Sequence, residues 1–179
     1  MGAEAVDNAL NLAPEPATEK VFKAYGQLIE VPGGNVQPTI QNEAWKFWAG
    51  LAKTKIHGDI EFGLFTVAAR EQLVAEMERH VKTPELLVSL RDDYLLVVAP
   101  PTPPNARKAA PDAAKTKVFM VARDQAIILN KGTWHTLPFP RGKEGLFLAA
   151  FRSGTARSDL KYKPFKKNEI VRFKTWEEK

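Results

Sequence analysis

The 179-residue chain has no cysteine and only three histidines. Without thiols there can be no disulfide framework, thiolate metal site or cysteine nucleophile, so any metal must sit on imidazole and carboxylate. No apolar run approaches the length of a membrane span, and the start "MGAEAVDNALNLAPEPATEK" has neither the basic region nor the apolar segment of a signal peptide. A soluble cytoplasmic protein is therefore expected. Charge of one sign is scarce as well: the net charge is +5 with both signs mixed along most of the chain, so no nucleic-acid partner is predicted. The most basic segment, "KYKPFKKNEIVRFK" (161–174), interleaves lysines with aromatics, as a single-strand-binding surface would. Its alternation, with Ile170, Arg172 and Lys174 on one side and Val171 and Phe173 on the other, reads instead as a final strand with one solvated face.

The length suits one core. Residues 1–17, rich in Ala, Pro and Asn, are expected to form a flexible arm, and 18–179 a single domain. Thr18 is placed to cap a short helix with Val21, Phe22 and Tyr25 on its apolar face, ended by Gly26 before a strand. "NEAWKFWAGLAKTKIHGDI" is ambiguous between helix and strand; Trp45, Trp48 and Leu51 recur at helical intervals, and the tryptophans predict core or interface packing. From Ile60 the chain reads as successive short strands broken by turn residues, the pattern of a sandwich or barrel. "PPTPPNARKAAPDAAKTK" cannot continue a sheet, because proline lacks the ladder donor, and residues 100–116 are expected to form an extended surface loop.

Chemistry concentrates at "EMERH". In a strand Glu76, Glu78 and His80 share one face, with Ala75, Met77 and Arg79 on the other. A polar triplet belongs either in water or inside a barrel whose lumen holds a site. Glu85 follows His80 by five residues across "VKTP", and "NKGTWH" places Gly132 three residues before His135 at the end of another strand. Two imidazoles with one or two carboxylates, Glu78, His80, Glu85 and His135, can hold Mn, Fe, Ni or Zn. Without metal they make an acid–base pair near neutral pH, and no organic cofactor is predicted. The blander reading makes His80 and His135 ordinary hydrogen-bonded residues at strand ends; the agreement of the two spacings favours a site. His57 in "KIHGD" lacks such support and is read as structural.

The order carboxylate-x-His, Glu after four residues, and a distant Gly-x-x-His is similar to the two cupin motifs, with Glu78 at the first histidine position. "FKAYGQLIE", "EMERH" followed by "YLLVVAP", and "KGTWH" resemble, in order and spacing, the segments that mark ureidoglycolate lyases, small cupins, from about Phe22 to Arg152. The resemblance implies a mainly β, cupin-type jelly-roll barrel with a few short helices near the N-terminus, commonly a homodimer. It implies an enzyme of purine and allantoin breakdown that splits a small anionic substrate, ureidoglycolate, into glyoxylate and urea. On the matching positions, Glu78, His80 and His135 would be catalytic, and Lys131, Trp134 and Arg152 would bind substrate. Arg152 suits the carboxylate best, because a guanidinium binds it in bidentate fashion. Arg79 alternates away from His80 and takes a structural ion-pair role. Thr136 stands where the family has a second histidine, and Phe151-Arg152 where it has Asp-Arg, which changes the proton inventory. Another metal-dependent cupin enzyme on a small acid or sugar acid, or a cupin that binds without turnover, therefore stays open.

Overall fold

Each short run between turn residues is dominated by branched aliphatic and aromatic side chains, and these runs pair as strands in the computed structural model, which describes residues 9–106 and 108–174. Tyr94–Ala99 pairs antiparallel with Lys117–Val121. Outside that hairpin Glu85–Ser89 pairs with Ala126–Leu129, then Glu76–Arg79 with Trp134–His135, then Ile60–Ala68 with Glu144–Arg152. These pairs are nested like brackets, and successive strands alternate between two sheets, which is the topology of a jelly roll. One sheet has five strands and the other seven; they are separate sheets and face each other rather than closing into a continuous barrel. Gly26–Ile29 extends the first along Ala126–Leu129, and Lys161–Pro164 extends the second along Glu76–Arg79.

The alternation in Tyr94–Ala99 shows where the core sits. Tyr94, Leu96 and Val98 point between the sheets, onto Leu87, Phe119, Ile127, Leu129 and Phe147. Leu95, Val97 and Ala99 point outward into a second core with Met77, Trp134, Phe139, Val171 and Phe173. A three-stranded sheet of Leu10–Leu12, Val171–Phe173 and Leu73–Val74 belongs to that outer layer. All six residues of Tyr94–Ala99 are consequently buried, and the strand reads as an unbroken apolar run.

Of the segment expected to be an arm, residues 1–8 lie outside the described residues and two short strands lie in the rest. Leu10–Leu12 runs parallel to Val171–Phe173, and Glu15–Pro16 runs parallel to Phe119 and Met120, so backbone ladders hold this segment down. Thr18 does cap the helix Glu19–Phe22, accepting from Val21 N, and Phe22 and Tyr25 are buried, but Val21 points outward. A second short helix, Thr155–Ser158, lies far from the N-terminus. Trp45 and Trp48 are not helical: Lys46–Phe47 forms a small hairpin with Ile40–Gln41, and Trp45 is half exposed. The described residues of the proline-rich segment form no strand, Pro101, Pro103, Pro104 and Asn105 are exposed, and Arg79 ties the segment to the sheet. The Arg79 guanidinium lies over the Trp134 ring at 4.6 Å and donates to the carbonyls of Thr102, Pro103 and Ala106, so its partners are loop carbonyls rather than the anticipated ion pair. Among the described residues no helix is long and apolar enough to cross a membrane.

Candidate active site

At one end of the inter-sheet row the apolar side chains give way to polar ones. His135 stands opposite Val98 on one ladder and opposite Glu78 on the next, so strand parity aims both inward. Glu85 opens its strand in the same inward row as Leu87. His80 follows the end of its strand, at the bend Val81 to Pro84. That bend is fixed by the fully buried Asp159, whose carboxylate accepts from Val81 N (3.1 Å) and Lys82 N (2.7 Å).

Both rings are anchored through Nδ1, His80 on the Asp159 carbonyl and His135 on the Thr133 carbonyl, each at 3.0 Å. A carbonyl can only accept, so both Nδ1 atoms carry a proton and both Nε2 atoms are left for the site. Glu85 Oε2 lies 3.3 Å from His80 Nε2 and 3.2 Å from His135 Nε2, and the three residues offer ligand atoms within 4.8 Å of one another. Glu85 Oε2 and His135 Nε2 are buried yet make no well-directed hydrogen bond. A neutral Nε2 and a carboxylate oxygen both present lone pairs, so their closeness asks for a cation between them, either a proton or a metal. The donor set fits a divalent metal on His80, His135 and Glu85, with backbone-anchored Nδ1 atoms as such sites require. Glu78, expected as a fourth ligand, falls outside this group; its Oε1 is 3.7 Å from His135 Nε2, and its carboxylate accepts from the Tyr162 hydroxyl.

Burial alone would lower the pKa of His80, but Glu85, the Asp159 carbonyl and Glu78 outweigh it and raise it to about 9. Burial would likewise raise Glu85, and the two imidazoles instead hold it down to about 2. Without metal, the cluster at neutral pH thus contains an imidazolium and a carboxylate. Burial and the neighbouring Glu78 push Tyr162 far above the ordinary phenol value, so its hydroxyl stays a donor.

A cleft of about 240 Å³ leads to the site, walled by Glu78, His135, Thr136, Tyr162, Leu137 and Arg70. Several residues singled out in the sequence stand elsewhere. Arg152 is opposite Ile60 and shares parity with the outward Leu148 and Ala150, whereas Phe151 points inward with its ring 6.0 Å from His80. Trp134 is fully buried in the second core, its indole N–H donating to the Thr102 hydroxyl, so it cannot touch a substrate beside His135. Lys131 lies in the turn whose next residue, Gly132, donates its N–H to the His80 carbonyl at 2.7 Å. Sequence reasoning missed Asp159, Tyr162 and Arg70. Of these only Tyr162 left a usable signal, since pairing "KYKP" with "EMER" places it opposite Glu78.

Residues 9–172 match the family model described as Ureidoglycolate lyase. The chain is similar to the ureidoglycolate lyase of Pseudomonas syringae pv. tomato, 24% identical over 152 residues that cover 82% of this chain and 86% of the relative. It is similar to that of Burkholderia mallei, 29% identical over 153 residues covering 82% and 85%. Among solved structures it is similar to dTDP-4-dehydrorhamnose 3,5-epimerase from Elizabethkingia anophelis, with a TM-score of 0.45 and 11% identity over 76% of this chain and 79% of that one.

Proposed function

We propose that this chain, which belongs to the ureidoglycolate lyase family, breaks the carbon–nitrogen bond of ureidoglycolate and releases glyoxylate and urea, a step of allantoin breakdown. The observation that supports the reading is that Glu78 and His135 share the cleft wall, with Glu78 Oε1 3.7 Å from His135 Nε2. The reaction needs one proton removed and one supplied. Glu78 takes the carbinol proton; the carbonyl of glyoxylate forms as the C–N bond breaks, and the electron pair leaves on nitrogen. The proton held among Glu85 and the two imidazoles passes through His135 Nε2 to that nitrogen and completes urea. The surplus proton on Glu78 then passes to His135 across the 3.7 Å gap and resets the pair. Glu85, whose Oε2 lies 3.2 Å from that Nε2 and 3.3 Å from His80 Nε2, connects the two imidazoles.

A divalent metal (Mn, Zn, Ni or Fe) held by His80, His135 and Glu85 would supply positive charge for the oxygen that gains negative charge. With His135 so engaged, Glu78 and the Tyr162 hydroxyl are the groups left in the cleft to move protons. Metal analysis of protein purified without chelators, run beside an assay of glyoxylate release, distinguishes the two forms. Glu78→Gln should lower kcat by about 10²–10⁴-fold. Undiminished turnover removes Glu78 from the mechanism, and no release by the wild type removes the lyase reading.

The same reading includes a homodimer. On the outer face of the five-stranded sheet, Ile60, Phe62 and Leu64 are 51%, 67% and 66% exposed, and the registers place Leu148, Leu86 and Val88 beside them. Five strands about 4.8 Å apart make a face some ~20 Å wide. An apolar sheet face of this kind is self-complementary about a two-fold axis.

A further inference from the structure

Arg152 is not among the residues that line the cleft, so the substrate carboxylate needs another cation there, and Arg70 lines it. We infer that Arg70 is the carboxylate anchor and that the cleft is bipolar, taking a small α-hydroxy acid with its carboxylate at Arg70 and its hydrogen-bond donors at Glu78. This rests on the lyase reading and names how that substrate is held.

Arg70 follows the strand Ile60–Ala68, and its guanidinium carbon lies over the Phe139 ring at 3.6 Å. Nη1 donates to the Pro138 carbonyl at 2.8 Å and Nη2 to the Leu137 carbonyl at 2.7 Å. These contacts fix the plane of the group and leave donors to spare, so little freedom is lost when a carboxylate is clamped. The same cleft wall carries a polar atom with no hydrogen bond and no other role, the hydroxyl of Thr136, a residue only 8% exposed. Buried polar groups rarely go unpaired, and this one asks for a ligand.

The remaining polar wall is of the opposite kind. Glu76 and Glu78 can only accept when ionised, and the Tyr162 hydroxyl is already given to Glu78. Two carboxylates disfavour a ligand that is anionic throughout, such as phosphate, while Arg70 disfavours a cation. A molecule with a carboxylate at one end and O–H or N–H groups at the other satisfies both walls. The volume of about 240 Å³ lies below the ~300–1,000 Å³ of clefts for larger ligands and suits a small acid.

Glycolate and its uncharged amide, glycolamide, test the anchor on the full chain by titration calorimetry. Wild type should prefer glycolate, and Arg70→Gln should weaken glycolate by about tenfold or more, as loss of a charge-assisted pair does, while leaving glycolamide unchanged. Arg70→Lys keeps the charge without the fork, should weaken glycolate several-fold, and serves where the glutamine variant does not fold. Equal glycolate affinity in wild type and variants, equal loss of both probes, or no glycolate binding by wild type overturns the inference. Glycolate selectivity that depends on Arg70 in a protein that releases no glyoxylate from ureidoglycolate keeps the anchor and discards the lyase; glyoxylate release with an unchanged KM in Arg70→Gln does the reverse.

Discussion

Glu85 is the residue on which the cluster turns, since one oxygen serves both imidazoles. Its effect on stability has a sign at each end of the pH scale. His80 has a raised folded pKa of about 9, so its contribution is complete below the ordinary value of 6.5 and is lost as pH rises toward 9. Glu85 has a depressed folded pKa of about 2, so its contribution is complete above 4.5 and is lost as pH falls toward 2. Metal-free protein should therefore be most stable between about pH 4.5 and 6.5 where these groups decide, and its Tm should fall from pH 6.5 to 9. In Glu85→Gln the alkaline part of that fall should largely vanish; an unchanged slope in the melting series would detach it from this cluster. His80, Glu85 and His135 were legible in the sequence because strand parity and two short spacings determine them locally. Arg152 came from resemblance alone, which fixes its position in the chain and not its face; parity sets it opposite to Phe151, and it does not line the cleft.

At the scale of elements, the turn Asn130–Thr133 joins the two halves of the site. Gly132 holds a positive φ of 81°, donates to the His80 carbonyl and accepts from Thr102 N. A Cβ there would lie 2.5 Å from the Thr102 carbonyl oxygen. Gly132→Ala should thus cost at least ~1–3 kcal/mol of stability from backbone strain alone, measurable as a lower denaturant midpoint. It should also displace His80, so turnover should fall further than the folded fraction. Equal activity per folded molecule would confine the glycine to the turn. The periodicity of Glu76–Arg79 was read correctly, but what covers each face was not legible. Met77 and Trp134 point away from the site because the outer layer of Leu10–Leu12 and Val171–Phe173 forms a second core, built from segments some 160 residues apart in sequence. Local patterns carry parity; they do not say which face a distant segment will cover. Asp159 escaped for the same reason, since its partners at Val81 and Lys82 lie in another part of the chain.

For the whole molecule, the apolar outer face sets the expected assembly state. Light scattering should give twice the chain mass, and Phe62→Glu, at a position 67% exposed, should shift the protein to monomer without changing its fold. A wild-type monomer at micromolar concentration would leave that face without a second copy. The nested jelly roll has a consequence for synthesis. Each of its four ladders joins a strand before the proline-rich segment to one after it, with Ile60–Ala68 waiting for Glu144–Arg152. While the first half leaves the ribosome it holds one member of every pair and the partner of none. Its apolar strands, including the run Tyr94–Ala99, stay open until the second half arrives, which is when a nascent chain of this kind is most exposed to aggregation and chaperone capture.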